Sequence, residues 1–517
     1  MSDRQHETSS ISYHSAPPPA TKPKRNYYAF ACSTMASMAS VLLGYDIGVM
    51  SGAVIFIQKD FKISDVKLEI LVGIISLYAI LGTAAAGRTS DWIGRRYTMG
   101  LAAAFFFVGA ILMGLSTNYS FLMFGRFFAG IGIGFASLIA PVYTTEISPA
   151  ASRGCFTSFP EIFINVGILL GYVSNFAFSK LPTHLSWRFM LGIGAIPSII
   201  LAIVVLIMPE SPRWLVMKGR IAEAKRVLDK TSVSIEESQQ RLIDIKLAAG
   251  IPLNFSGTDD ANVTVPLSNS TTKGESVWKE LFIHPTPPVR HILIAAIGLH
   301  FFQQASGNDG VVLYSPRIFE KAGITSSDHK LLATVAVGIV KTAFILVATF
   351  FLDRMGRRPC ILTSVAGQTV SLATLGFSLT IINRSQEKVK WAIVLCIAMV
   401  LSNVSFFSIG LGPMAAVYTS EIFPLRLRAL GVSVAIMANR ITSGVVTMTF
   451  LSLYHALTIG GAFFLFAGIS AVSWLFFYVV FPETRGQNLE DVERLFGNFP
   501  WRKKKNKDTN IEVELRG

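Results

Sequence analysis

The chain has 517 residues, of which 51% are hydrophobic and only 15% charged, with a formal net charge of +14. Soluble domains carry about 25% charged residues, so this composition excludes an ordinary water-soluble protein and implies a nonpolar solvent. The excess lysine and arginine is scattered over loops without interleaved aromatics, which argues for a membrane topology signal and against nucleic-acid binding.

Residues 1–26 read as a polar tail ending in the basic cluster Lys22–Arg25, with no small-residue cleavage site after it. Windows of about 20 apolar residues then predict helices near 27–52, 69–87, 98–116, 121–143, 156–178 and 188–208. A polar stretch, 209–289, separates these from a second set near 290–314, 331–352, 360–382, 391–418, 429–453 and 461–481. The expectation is an all-α membrane protein of twelve transmembrane helices. It has a bundle over 27–208, a cytoplasmic linker over 209–289, a second bundle over 290–481 and a tail over 482–517. Basic clusters at Lys22–Arg25, Gly94–Arg96, Gly356–Arg358 and Arg502–Lys505 belong on the cytoplasmic side, and an even number of spans places both termini there.

The linker reads as short amphipathic helices. "SPRWLVMKG" has Ser211 as N-cap and Pro212 in the first turn, and "IAEAKRVLDK" and "IEESQQRLIDIKLA" follow. Residues 257–274 are flexible by composition. The linker helices are expected to latch an inner gate. Cys32, Cys155, Cys360 and Cys396 are isolated, so neither a disulfide framework nor a metal site is expected. Asn118 and Asn383 head glycosylation sequons in short outer loops, where modification is not expected.

The two halves repeat each other. "DWIGRR" (91–96) returns as "DRMGRR" (353–358), "VYTTEI" (142–147) as "VYTSEI" (417–422), and "PESPR" (209–213) as "PETRG" (482–486). Three pairs in one order at offsets of 262, 275 and 273 residues imply two homologous six-helix bundles, with a solute site where they meet at the midplane. The repeated charges Asp91, Arg95, Arg96, Glu146 and Arg153, with Asp353, Arg357, Arg358, Glu421 and Arg428, lie at cytoplasmic helix ends. There they are expected to pair when that side closes and separate when it opens, besides setting topology.

Two of the charges within the spans read as a pair. Asp46, in "GYDIGVMSGAV", is an acid whose burial at a bilayer centre costs about 2.5–3.5 kcal/mol on insertion scales. Arg126 in the fourth span needs a counter-charge, and Asp46 is the candidate. Such a pair either titrates during transport or is a permanent ion pair that fixes packing. "AGIGIGF" (129–135) follows no strand and reads as close helix packing rather than a dinucleotide loop.

The ordered set "GRTSDWIGRR", "PVYTTEISPAASRG", "PESPRW", "QQASGNDGVVLYSP", "LDRMGRRP", "GPMAAVYTSEIFPLRLRALG" and "PETRG" resembles the sugar porters of the major facilitator superfamily over about 27–496. "SFPEIFINVGILLGYVSN" and "LYSPRIF" are most similar to plant polyol/monosaccharide transporters. The resemblance implies proton coupling through Asp46 and Arg126. It also implies solute binding by Gln303, Gln304, Asp309, Glu161 and Asn439, with Tyr314 among them. Glu161 and Asp309 stand where most of the family has an amide, Lys341 where Asn is frequent, and Ala416 where a tryptophan is common. Lys341 adds a charge to the cavity, and its pairing with Asp309 is either structural or functional. The loss of the tryptophan favours a roomier pocket.

These readings converge on a proton-coupled symporter of linear polyols and monosaccharides, working by alternating access. The alternatives are a facilitative uniporter and a non-transporting solute sensor on the same scaffold. No nucleophile, metal cluster or phosphate loop suggests an enzyme. No cofactor and no obligate protein partner are expected beyond solute, proton and lipid bilayer, and the plasma membrane is the expected location.

Overall fold

A computed structural model describes residues 26–149, 153–249, 279–283, 285–324, 326–385, 389–424, 427–484 and 496. The secondary structure among them is helical. The first half supplies six spans: Tyr27–Phe61, Asp65–Ile93, Arg95–Gly114, Tyr119–Ile147, Cys155–Phe178 and Thr183–Ile207. In the second half, Asp328–Thr349, Arg357–Arg384 and Lys390–Thr419 are spans eight to ten. The long helix Arg428–Val480 contains a non-helical residue, Thr458, that divides spans eleven and twelve. Span seven is Pro287–Ala305, continued by Asn308–Leu313 and Ser315–Lys321. Twelve spans result, as expected. They overrun the apolar windows because polar ends such as Gln58-Lys59-Asp60 stay helical past the apolar layer.

Local chemistry sets the helix starts. Asn26 Oδ1 accepts from the backbone N–H groups of Tyr28 and Ala29 at 3.0 and 3.1 Å. Its Nδ2 donates to the carbonyls of Lys230 and Ser232, which ties the start of span one to the linker helices. Asn118 caps span four by accepting from Phe121 N at 2.8 Å, and Ser211 caps Pro212–Met217 through Trp214 N. The linker helices Pro212–Met217, Ile221–Thr231 and Ile235–Ala249 form as expected. Residues 257–274, Lys22–Arg25 and Arg502–Lys505 lie outside the described residues.

Spans one and five pack backbone to backbone. Gly44 and Gly48, one helical turn apart, face the carbonyls of Ile164 and Ile168, and a Cβ at either position would collide with them. From the other side, a Cβ on Gly167 or Gly171 would stand 2.5 Å from Val41 O or Val49 N. This small-residue contact fixes the height of Asp46, which lies between the two glycines. Gly48→Val should therefore destabilise the protein by about 1–3 kcal/mol or more. The check is thermal unfolding in detergent, and an unchanged midpoint would mean the spans can separate at no cost.

Candidate transport site

The carboxylate of Asp46 and the guanidinium of Arg126 meet at 2.5 Å, and the two residues are 3% and 1% exposed. Arg126 spends its other donors on span two: Nε reaches Leu71 O and Nη2 reaches Val72 O, each at 3.1 Å. Each nitrogen of the buried guanidinium thus has one acceptor, a carboxylate for one and carbonyls for the other two. Replacing the carboxylate's charge would leave the carbonyls alone to hold it.

Between the halves lies a cavity of about 170 Å³ lined by Glu161, His300, Gln303, Gln304, Asn308, Asp309, Lys341, Ala416, Asn439 and Arg440 among others. The helix break at Ser306–Gly307, with Gly307 at φ +80°, turns the chain so that adjacent Gln303 and Gln304 and then Asp309 all face this space. Asn439 Nδ2 donates to Gln303 Oε1 at 2.8 Å, and Gln303 Nε2 donates to Leu411 O and Gly412 O at 3.2 Å. Asp309 Oδ2 accepts from Ser443 Oγ at 2.6 Å. An ionised carboxylate offers only acceptors, so the Gln304 amide turns its nitrogen to Asp309, at 3.2 and 2.8 Å from the two oxygens. A second void, of about 30 Å³, is lined by Asp46, Arg126, Asp309, Arg440, Ser443 and Thr447, and it has room for a water or two but no polyol.

Not every expected residue joins this site. Tyr314 lies off the cavity: its hydroxyl donates to Thr447 O at 3.0 Å and its ring stacks on Phe450 with centroids 4.9 Å apart. It belongs to the plug that closes the end remote from the linker. Tyr172 Oη to Val312 O, Glu69 to the Ser452 N–H and hydroxyl, and Asp65 to Arg317 and His455 close the same end across the two halves. Lys341 makes no ion pair with Asp309: its ammonium sits 5.6 Å from the centroid of the Phe407 ring. Arg440, His300 and Asn308 escape the sequence reading. Arg440 brings a second cation beside Glu161 and Asp309, with Nη2 3.4 Å from Ser137 Oγ. Its signal was available as a lone arginine inside span eleven. His300 Nε2 lies 3.2 Å from Thr419 Oγ1, and the buried Asn308 amide has no hydrogen-bond partner among the described residues.

The repeated charge motifs form two matching clusters at the linker end, each within one half. Arg95 pairs with Glu146 at 3.1 Å and Asp91 at 3.0 Å, and Ser211 Oγ donates to Glu146 at 2.5 Å. Arg357 pairs with Glu421 at 3.0 Å, and Thr484 Oγ1 donates to the same carboxylate at 3.0 Å. Glu210 accepts from the backbone N–H groups of Arg95, Arg96 and Ser211, and Glu483 from those of Arg357 and Arg358. Burial pushes the Glu210 carboxyl above its ordinary range although these N–H groups pull it down. Arg96 and Arg358 close the ends of spans six and twelve through the carbonyls of Val205 and Tyr478. In this state the pairs join helices of the same half, while contacts between the halves close the far end. The side chains of Arg153, Asp353 and Arg428 lie outside the described residues.

A family model described as "Sugar (and other) transporter" matches residues 32–496. Polyol transporter 5 of Arabidopsis thaliana is 63% identical over 505 residues, which cover 96% of this chain and 93% of the relative. The solved structure of the major facilitator superfamily proton:xylose symporter XylE bound to 6-bromo-6-deoxy-D-glucose is similar with a TM-score of 0.75 and 25% identity, covering 91% of this chain and 100% of that one. A partially occluded inward-open form of XylE from E. coli shares the fold with a TM-score of 0.73 and 24% identity, over 89% of this chain and 100% of that chain. The family match runs through both bundles and the cavity between them, so the chain belongs to the sugar transporter family of the major facilitator superfamily, as a membrane transporter and not an enzyme.

Proposed function

We propose that this transporter is a proton-coupled symporter of linear polyols and monosaccharides that works by alternating access. The observation that carries the reading is the buried Asp46–Arg126 pair, which faces a void whose wall is shared with a polar cavity between the halves. Intramembrane acids mark proton relays and substrate paths more often than packing contacts. The printed names of a polyol transporter and a proton:xylose symporter among its relatives support the same reading.

In this mechanism ionised Asp46 holds Arg126 against spans one and two. Proton binding neutralises Asp46, leaves Arg126 on the Leu71 and Val72 carbonyls, and loosens the span-one contact. Solute hydroxyls meet the amides of Gln303, Gln304 and Asn439, and the carboxylates of Glu161 and Asp309. The halves then rock as units, each kept rigid by its own cluster: Asp91, Arg95, Arg96 and Glu146 in one, and Arg357, Arg358 and Glu421 in the other. A protein that changes state only when Asp46 is protonated and solute is bound, or when both ligands are absent, couples the two flows.

The positive-inside rule supports a cytoplasmic linker end and cytoplasmic termini, and with the far end closed an inward-facing state follows from that orientation; the plasma membrane is the proposed location. Tags at either terminus should resist protease in intact cells and be cut after permeabilisation. Cleavage of a terminal tag in intact cells would reverse the orientation. The function is tested by radiolabelled sorbitol uptake in a transport-deficient yeast. Accumulation that a protonophore collapses is expected, whereas equilibration that ignores the protonophore would identify a uniporter.

A further inference from the structure

We infer that Asp309 and Arg440 are the positioning residues through which solute occupancy is linked to the protonation of Asp46, an inference that rests on the symport reading above. The solute cavity and the small void share four lining residues: Leu43, Ile47, Asp309 and Arg440. Only the last two are charged. They touch the solute space on one side and the space in front of the Asp46–Arg126 pair on the other.

The hydrogen bonds give this shared wall a way to respond to solute. Asp309 is held by the Ser443 hydroxyl and by the Gln304 amide, and Gln304 lies beside the Gln303–Asn439 pair. A polyol hydroxyl that takes the Gln304 amide removes a donor from Asp309. Arg440 is poorly held: among the described residues one long contact reaches Ser137, and its buried Nε has no hydrogen-bond partner. The groups facing Arg440 are Asp309 and His300 from span seven, Glu161 from span five and Lys341 from span eight, with Asp46 and Arg126 across the void.

Charge balance supplies the coupling. The two spaces together hold three carboxylates, Asp46, Glu161 and Asp309, against three cations, Arg126, Lys341 and Arg440. A proton on Asp46 leaves one positive charge in excess beside the void. Asp309 is the carboxylate on the opposite wall that can offset it, and it is freer to do so once solute has taken Gln304. Protonation and solute binding therefore favour each other, and by linkage the effect is reciprocal. Arg440 sets where the Asp309 carboxylate rests while the site is empty.

The test uses the full-length protein reconstituted in liposomes, with sorbitol as the probe and an internal pH dye recording proton entry. Sorbitol counterflow, which needs no net proton movement, reports that each variant is folded and binds. Arg440→Gln should keep measurable counterflow while its proton-to-sorbitol ratio falls about fivefold or more, and the pH dependence of its sorbitol KM flattens. Residues that only shape the pocket would change KM without moving the ratio or the pH profile. Should Arg440→Gln fail to reach the membrane, Ser443→Ala, which removes only the hydroxyl on Asp309, decides by the same two readouts. A ratio and pH profile equal to wild type in the variant that folds would overturn the inference. A wild-type protein that moves sorbitol without protons would instead overturn the symport reading beneath it.

Discussion

Asp46→Asn should abolish protonophore-sensitive accumulation of sorbitol while leaving exchange of labelled for unlabelled sorbitol measurable. The amide has the shape of the protonated acid and no charge, so Arg126 is left with the Leu71 and Val72 carbonyls and the pair can no longer cycle. The expected loss is large. One proton moving down 100 mV yields about 2.3 kcal/mol, which supports roughly fifty-fold accumulation of a neutral solute at about 1.4 kcal/mol per factor of ten. Without coupling the gradient should fall to near unity. Arg126→Gln is the harsher change, because it leaves a carboxylate buried without its counter-charge, at about 3–5 kcal/mol. It should reduce the folded protein recovered as well as transport. Uptake by Asp46→Asn that stays concentrative and pH-dependent would return the pair to a packing role.

The features legible in the sequence are those written in local chemistry. Apolar windows mark the spans, and the motif pairs at 91/353, 142/417 and 209/482 mark the two halves. The charge of Asp46 in an apolar run, with Arg126 as the candidate partner, anticipated the 2.5 Å ion pair. Ser306 and Gly307, directly after the two glutamines, are the local signal of the break that lets Gln303 and Gln304 face one cavity. What escaped depends on packing between distant segments. Arg440 is one cation in span eleven, and nothing near it in the chain says that it stands beside Glu161 and Asp309. Glu210 and Glu483 were visible as echoes, but their task of accepting from the first N–H groups of spans three and nine follows from the chain returning to those helix starts. Tyr314 stands apart from the cavity for another reason. Whether a residue just past a helix break faces solute or plugs the far end depends on the state of the carrier, which no local pattern records.

Selectivity should follow from the two carboxylates and the missing tryptophan. Glu161 and Asp309 present acceptors to the cavity, Ala416 gives its stretch of wall no aromatic face, and the Phe407 ring in the lining has the Lys341 ammonium over it. An acyclic polyol can turn each hydroxyl to donate to a carboxylate and needs no stacking partner, whereas a hexopyranose has fixed hydroxyl directions and a ring face that an indole would cover. A buried hydroxyl or carboxylate left unpaired costs about 1–3 kcal/mol, so one mismatch discriminates by about tenfold or more. Sorbitol, mannitol and xylitol should therefore compete for uptake at least as well as glucose. Glu161→Gln or Asp309→Asn, each combined with Ala416→Trp, should move the preference toward ring sugars by about the same factor. The amide substitution adds a donor at a position that offered acceptors, and the indole fills the space that Ala416 leaves open. The measurement is the ratio of sorbitol to glucose kcat/KM in each variant. Because Asp309 is also placed on the wall shared with the proton pair, Glu161→Gln with Ala416→Trp is the cleaner of the two. An unchanged ratio in that variant would assign the carboxylate to charge balance with Lys341 and Arg440, and leave discrimination to the amides of Gln303, Gln304 and Asn439.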